Sequence, residues 1–278
     1  MVEPSSNWRA ALRQLHDDAF EFDWDDHLAN LNGRLRLTGR AAFSTPAPGL
    51  PPSWFHGDID ALEPRQWILV MSLNPAMVPD DIPWHESQEY TSESYWNHWR
   101  LLYQRYPELG YTRRFVDVAR GLFQSEIADE AEFSARRLVF VELCPYSSQD
   151  VRLSPAQVRQ LVDSDPGFRL AAQVRNVLIS EGQPAAILIN GVPAVQSFEA
   201  TSGRALRWAR SEYPSVDDGA KRLWHNEGFL AGEEPTLVAG TPFLRGPRTH
   251  NSRAELRQLG EQLREFASKH SYVLPAAP

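Results

Sequence analysis

The sequence predicts an α/β protein: a three-layer α/β/α arrangement with a central, mainly parallel four-stranded sheet and an N-terminal helical extension. Three observations lead there. Residues 67–73, 138–143, 185–189 and 236–239 are short apolar runs with the length of buried strands, and helical sequence separates each from the next. The helices between them carry clear starts, because Ser154-Pro155 and Asp165-Pro166 each place a capping side chain before a first-turn proline. Each strand also ends on polar residues close to a proline: Asn74-Pro75, Glu142 through Pro145 to Tyr146, Asn190 before Pro193, and Thr241-Pro242. Strands alternating with helices imply right-handed crossovers, and ligands in such sheets bind beyond the carboxyl ends of the strands. A polar residue buried there without a partner costs about 1–3 kcal/mol, so the polar tips mark the place to look for a site.

Taken in order, residues 1–60 read as an extension with acidic helices. Ser6 is placed to cap a helix carrying Trp8, Leu12 and Leu15, and Asn32-Gly33 is a stop for a second. The proline-rich stretch TPAPGLPPS at 45–53 connects it to an α/β domain over 61–278. Trp96, Trp99 and Tyr103 fall at helical spacing and read as core, whereas Trp84 and Tyr90 read as loop residues. At the far end Ser252 and Glu255 form a capping box ahead of Leu256, Leu259, Leu263 and Phe266, one apolar helix face.

Composition narrows the function. The 278 residues carry 28 basic and 36 acidic side chains, a net charge of −8, with mean hydropathy −0.44. Asp17, Asp18, Glu21, Asp23, Asp25 and Asp26 account for six of the acids, and without them the total is −2. Arg245, Arg248, His250 and Arg253 lie together with Asn251 in a stretch that holds no acid, a candidate phosphate contact as well as an ordinary solvated loop. Lys221 and Lys269 are the only lysines, and Cys144 is the only cysteine. One thiol excludes an intramolecular disulfide and a cysteine-ligated iron–sulfur cluster. The polar first fifteen residues lack the apolar core of a secretory signal, which leads to the expectation of a cytoplasmic protein. GxxxxGK[ST], GxGxxG after the first strand and GxSxG are all missing. His85-Glu86 begins like HExxH but meets Glu89, and His56, Asp58 and Asp60 alternate in a pattern that a solvated turn explains as well as a metal does.

The strand ends carry a family likeness. SLNP at 72–75, VELCPY at 141–146, INGVPAVQSF at 189–198 and AGTPFLRGP at 239–247 occur in the order of the motifs of the uracil-DNA glycosylase superfamily, which the chain resembles over 65–266. Ser72 replaces the first glycine of that pattern, Glu142 stands where an Asn reads the base, and Thr241 and Phe243 stand for His or Asn and for Ser. The resemblance implies a monofunctional DNA glycosylase that extrudes a base from DNA and hydrolyses its N-glycosidic bond, with no metal or cofactor; the oligomeric state stays open, a monomer being the first expectation. Asn74 would place the water, Asp80 or Asp81 supply negative charge near the cationic sugar, and Thr241 complete the catalytic set. Glu142, Tyr146 and Asn190 would meet the base, and Trp84 and Tyr90 offer a face for it to stack on. Arg245, Arg248, His250, Asn251 and Arg253 would meet the DNA.

Glu142 sets the expected substrate. An ionised carboxylate accepts only, which suits cytosine N4–H and repels the O4 of uracil, whereas a protonated one could donate to a carbonyl. Ordinary cytosine fills the genome, so a modified or damaged cytosine is the expected target, in repair or in defence against modified viral DNA. A uracil-type glycosylase, a nucleoside N-glycosidase and a DNA-binding protein without catalysis remain the rival readings.

Overall fold

The computed structural model describes residues 8–73, 81–105, 112–124, 127, 129–150, 153–202, 206–231, 235–244 and 250–274. The chain opens with α1 (Trp8–Phe20) and α2 (Trp24–Leu35), and then β1 (Phe55–His56), β2 (Ile68–Ser72), α3 (Asp81–Glu86), α4 (Ser92–Trp96) and α5 (His98–Arg105) follow. Next come α6 (Arg113–Phe123), α7 (Glu130–Arg137), β3 (Leu138–Glu142), α8 (Pro155–Ser164), α9 (Pro166–Ser180) and β4 (Ala186–Asn190). The remainder is α10 (Val192–Ser202), β5 (Ala209–Pro214), β6 (Arg222–Leu230), β7 (Thr236–Thr241) and α11 (Arg253–Lys269). Among the described residues no helix is long and apolar enough to cross a membrane.

Among the described residues the sheet has seven strands in the order β1-β3-β2-β4-β7-β6-β5 and is mixed, which corrects the expectation of four. The strands read from sequence form its middle and run parallel, β3 with β2, β2 with β4, and β4 with β7. The added strands are antiparallel: β1 on one edge, and a β5–β6 hairpin on the other. They escaped the sequence reading because β1 has only two residues and because β5 is exposed along most of its length, so neither shows an apolar run.

Helices cover both faces. Leu69, Met71, Val139, Val141, Ile187 and Ile189 pack with residues of α8, α9 and α10 on one side. Ile68, Val70, Leu138, Phe140, Leu188 and Ala239 pack with α6 and α11 on the other. The α6–α11 crossing is close: a Cβ on Gly121 would stand 1.9 Å from the Arg257 carbonyl oxygen, and one on Gly260 2.0 Å from that of Val118. Only hydrogen fits between these backbones.

The N-terminal helices share the core of the sheet, since Trp8, Leu12, Leu28 and Leu31 belong to the same buried cluster as Tyr146 and Phe168. The Asn32-Gly33 stop is overrun by α2, which ends instead at Arg36 in the left-handed region, with φ 56°. The caps at Ser154, Asp165 and Ser252 form as their sequence patterns require, each side chain accepting backbone N–H bonds of the first turn.

Candidate active site

The carboxyl ends of the four parallel strands carry a row of polar residues. Alternation along each strand puts Ser72, Glu142, Asn190 and Thr241 on the same face as Val70, Phe140, Leu188 and Ala239. Register lines them up: Ser72 pairs with Glu142, Asn190 pairs with Thr241, and β2 and β4 stay in step to Met71 and Ile189, one residue earlier. At a strand spacing of ~4.8 Å the row spans roughly 14 Å. Asn74 and Asp80 lie outside the described residues, as do Arg245 and Arg248. The described chain reaches Leu73 past β2 and Leu244 past β7 at this end of the sheet, and residues 74–80 and 245–249 follow these two in sequence. Asp81 begins α3; its side chain is not among those described.

Glu142 stands out. Its Oε2 is enclosed and has no hydrogen-bond partner among the described residues, while the residue as a whole is partly exposed, and burial of the carboxyl group raises its pKa to about 8. That shift favours the protonated form at neutral pH, the second of the two states left open by the sequence. A neutral acid offers one donor and one acceptor.

Asn190 and Thr241 tie the ends of β4 and β7 together. Asn190 Oδ1 accepts the backbone N–H of Leu244 at 3.0 Å, and Thr241 Oγ1 donates to the Ile189 carbonyl at 3.4 Å. The Gly191 N–H donates to the Thr241 carbonyl at 2.9 Å, with Gly191 at φ 101°, where a side chain would strain the turn. Asn190 and Thr241 are both buried, and these bonds give them a positioning role at the site.

Three of the expected ligand contacts are drawn elsewhere. Tyr146 is fully buried among Trp24, Phe43 and Phe168, and its hydroxyl donates to Asp165 Oδ1 at 2.7 Å, so it is a core residue and not a base contact. His250 is fully buried too, 2.7 Å from the Tyr213 hydroxyl, which overturns both the surface and the phosphate-contact readings. Arg253 Nε and Nη2 bond Asp117 at 3.1 to 3.2 Å, and Nη2 also reaches Glu130 Oε1 at 2.7 Å. Its charge is already answered by two carboxylates, which weakens it as a phosphate contact. Asn251 is exposed, and its backbone N–H donates to Glu255 Oε2 at 2.7 Å.

Trp84 lies within α3 and not in a loop, with the Arg105 guanidinium 4.8 Å from its ring centroid. Tyr90 is in a loop, half-buried, its hydroxyl 3.0 Å from His85 Nδ1 and its ring edge-on to Tyr95 at 5.2 Å. Behind these aromatics sits a cluster that the sequence reading missed. His56 Nδ1 is 3.1 Å from His98 Nε2, and Ser53 Oγ lies 3.0 Å from His56 and 3.3 Å from His98. His98 Nδ1 meets the Tyr95 carbonyl at 2.6 Å, and Tyr95 stacks on both His98 and His16. Desolvation lowers the pKa of His56 to about 4 and that of His98 well below its ordinary value. Among the described residues no group of three or more His, Cys, Asp or Glu is arranged to hold a metal ion. Burial likewise raises the pKa of the Cys144 thiol, which removes it as a nucleophile.

A depression of about 500 Å³, lined by Arg65, Phe229, Pro235, His270 and Tyr272, lies at the other end of the sheet, where Arg65 precedes β2 and Pro235 precedes β7. It shares no residue with the polar row. No protein-family model matches this chain, and no curated protein matches it.

Proposed function

We propose that this protein is a monofunctional DNA glycosylase that hydrolyses the N-glycosidic bond of an extruded, modified cytosine-type base, in repair or in defence against modified viral DNA. The observation that carries this reading is Glu142, whose Oε2 is enclosed and has no hydrogen-bond partner among the described residues, at the tip of β3 and paired with Ser72 at the tip of β2, two residues before Asn74 in sequence. A protein leaves such a group unpaired at a cost of ~1–3 kcal/mol, which a ligand's hydrogen bonds recover. As a neutral acid Glu142 accepts from cytosine N4–H and donates to N3. Asn74 holds the attacking water, Trp84 and Tyr90 stack on the extruded base, and Arg245 and Arg248 meet phosphates. Asn190 holds Leu244, the residue that leads into the arginine-bearing segment, and no metal or cofactor takes part in this reading.

The protonated state of Glu142 also favours a second reading. The same acid can donate to O4 of uracil and accept from its N3–H, so a uracil-type substrate fits a neutral Glu142. Duplexes containing uracil, cytosine, hydroxymethylcytosine or glycosylated hydroxymethylcytosine, scored for alkali-labile abasic sites, separate the two. Parent enzyme is expected to release the modified cytosines, Glu142→Gln to change the ranking, and Asn74→Ala to release nothing while still binding DNA. A preference for uracil selects the second reading. Tight binding with no abasic product from any duplex would make the protein a DNA-binding module instead.

A further inference from the structure

Where α6 and α11 begin, three arginines share two carboxylates. Glu130 serves all three: Arg113 Nε lies 3.0 Å from its Oε2, while Arg120 Nη2 and Arg253 Nη2 bond Oε1 at 2.6 and 2.7 Å. Asp117 takes the other side of two of them, accepting from Arg120 Nη1 at 2.6 Å and from Arg253 at 3.1 to 3.2 Å. The cluster therefore keeps one excess positive charge in a chain whose net charge is −8. Asp129 and Glu132, the other acids at the start of α7, are engaged along that helix, Asp129 by the Glu132 N–H and Glu132 by Arg136 at 3.5 Å.

Accessibility divides the three. Arg120 is buried and works inward, whereas the side chains of Arg113 and Arg253 are 43% and 56% exposed. Arg113 Nη1 and Nη2, and Arg253 Nη1, make no hydrogen bond to the described residues. A guanidinium carries five donors in a rigid fork, so a carboxylate that grips one edge fixes the group and leaves the opposite edge open. Two carboxylates weaken Arg253 as a lone contact, but shared among three guanidiniums they leave the cluster cationic. Its place in the fold is set by α6. Arg114 donates to the Leu244 carbonyl and Arg253 bonds Asp117, so both ends of the acid-free stretch 244–253, which carries Arg245 and Arg248, are moored to this helix at the polar-row end of the sheet.

We propose that Arg113 and Arg253, prearranged by Glu130, form an edge that binds backbone phosphates of DNA at the polar-row end of the sheet. That the polyanion is DNA rests on the glycosylase reading; the cationic edge itself does not. A phosphodiester presents two free oxygens that accept from the fork of a guanidinium, and it repeats its charge at every nucleotide, so a strand that meets Arg245 and Arg248 can continue onto this edge. Such contacts carry no base information. Arg113 and Arg253 hold the strand, and Glu142 is left to choose the base.

Duplex binding followed by fluorescence anisotropy across roughly 50–200 mM salt tests the edge. Arg113→Gln, which leaves Glu130 bonded to Arg120 and Arg253, should weaken binding equally for duplexes with and without a modified cytosine and lower the slope of log K against log salt by about 1. Arg113→Lys keeps the charge and should keep the slope. Arg136→Gln removes an exposed arginine at the other end of α7 and should leave the slope in place. An unchanged slope in Arg113→Gln, or the same drop in Arg136→Gln, overturns the proposal. The parent protein gives a test that needs no variant. Phenylglyoxal, which modifies accessible guanidiniums, should label Arg113 in the free protein but not in the duplex complex, and label Arg136 in both. Equal labelling of Arg113 in the two states overturns the proposal, and base release by the same sample would leave the glycosylase reading standing. Protection of Arg113 by poly-glutamate but not by duplex would make the edge a contact for an acidic protein and overturn the phosphate assignment. A parent that binds no duplex at any salt overturns this assignment and the glycosylase reading together.

Discussion

Asn190 Oδ1 accepts the backbone N–H of Leu244 at 3.0 Å, tying the tip of β4 to the chain just beyond β7. Both groups are buried, so Asn190→Ala strands the Leu244 N–H away from water. We expect a loss of about 1–3 kcal/mol in denaturant unfolding, together with weaker DNA binding, because Leu244 leads into the arginine-bearing segment. Unchanged stability would show that another acceptor takes over.

Tyr146→Phe separates a core role from a base contact. The hydroxyl donates to Asp165, a buried residue that also caps α9 through the Gly167 and Phe168 N–H groups and lies 2.8 Å from His27 Nε2. Its removal should cost about 1–2 kcal/mol in unfolding free energy and leave the ranking of base substrates alone. A changed ranking would return Tyr146 to the site.

Glu142 makes the folded state sensitive to alkali. Its pKa rises from an ordinary 4.5 to about 8, so between those values the unfolded chain ionises while the folded one stays protonated. Stability contributed by this group is whole below pH 4.5 and declines as pH rises, by up to about 4 kcal/mol at pH 8. Glu142→Gln removes that loss. The variant should be the more stable protein in denaturant titrations, with an advantage that grows from pH 5 to pH 8. An advantage independent of pH would mean that the carboxyl group is ionised throughout.

The histidine cluster acts at the other end of the scale. His56 is neutral in both states above pH 6.5, and with its folded pKa near 4 only the unfolded chain takes up the proton as pH falls between those values. The fold should lose up to about 3 kcal/mol from this group across that window and nothing further below it. His98, His16 and His250 are shifted in the same direction and add to the loss. His56→Asn, compared with the parent by urea unfolding at pH 7 and pH 4.5, should lose less stability over that interval.

Neither lysine is placed to form a Schiff base. Lys221 Nζ lies 2.8 and 3.0 Å from the two Glu255 carboxylate oxygens, and Lys269 Nζ is 2.8 Å from Glu265. Each amine bonds a carboxylate, and neither belongs to the polar row. Borohydride treatment of a reacting mixture should trap no protein–DNA adduct, and the product should be an intact abasic site. A trapped adduct lost in Lys221→Arg would reassign the chemistry to that amine.

The sequence by itself determined the middle of the protein. Runs such as Ile68–Ser72 and Ala186–Asn190 are apolar on both faces because helices cover both, and that double burial is legible as an unbroken hydrophobic run. The helix starts at Ser154, Asp165 and Ser252 are equally local, since a cap needs only its own first turn. Glu142, Asn190 and Thr241 could be picked out as polar tips on apolar strands for the same reason. Only the tertiary structure decided which of the chosen residues belong together. Tyr146 and His250 carry groups that suit a ligand, but the nearest partner of each comes from far along the chain: Asp165 on α9 for one, Tyr213 on β5 for the other. The protonation of Glu142 is likewise a property of its surroundings, because desolvation depends on everything packed around the carboxyl group and on no single neighbour in sequence. The β5–β6 hairpin was hidden because its outer strand faces water and alternates too weakly to announce itself, so the Tyr213 contact it carries to His250 was hidden with it.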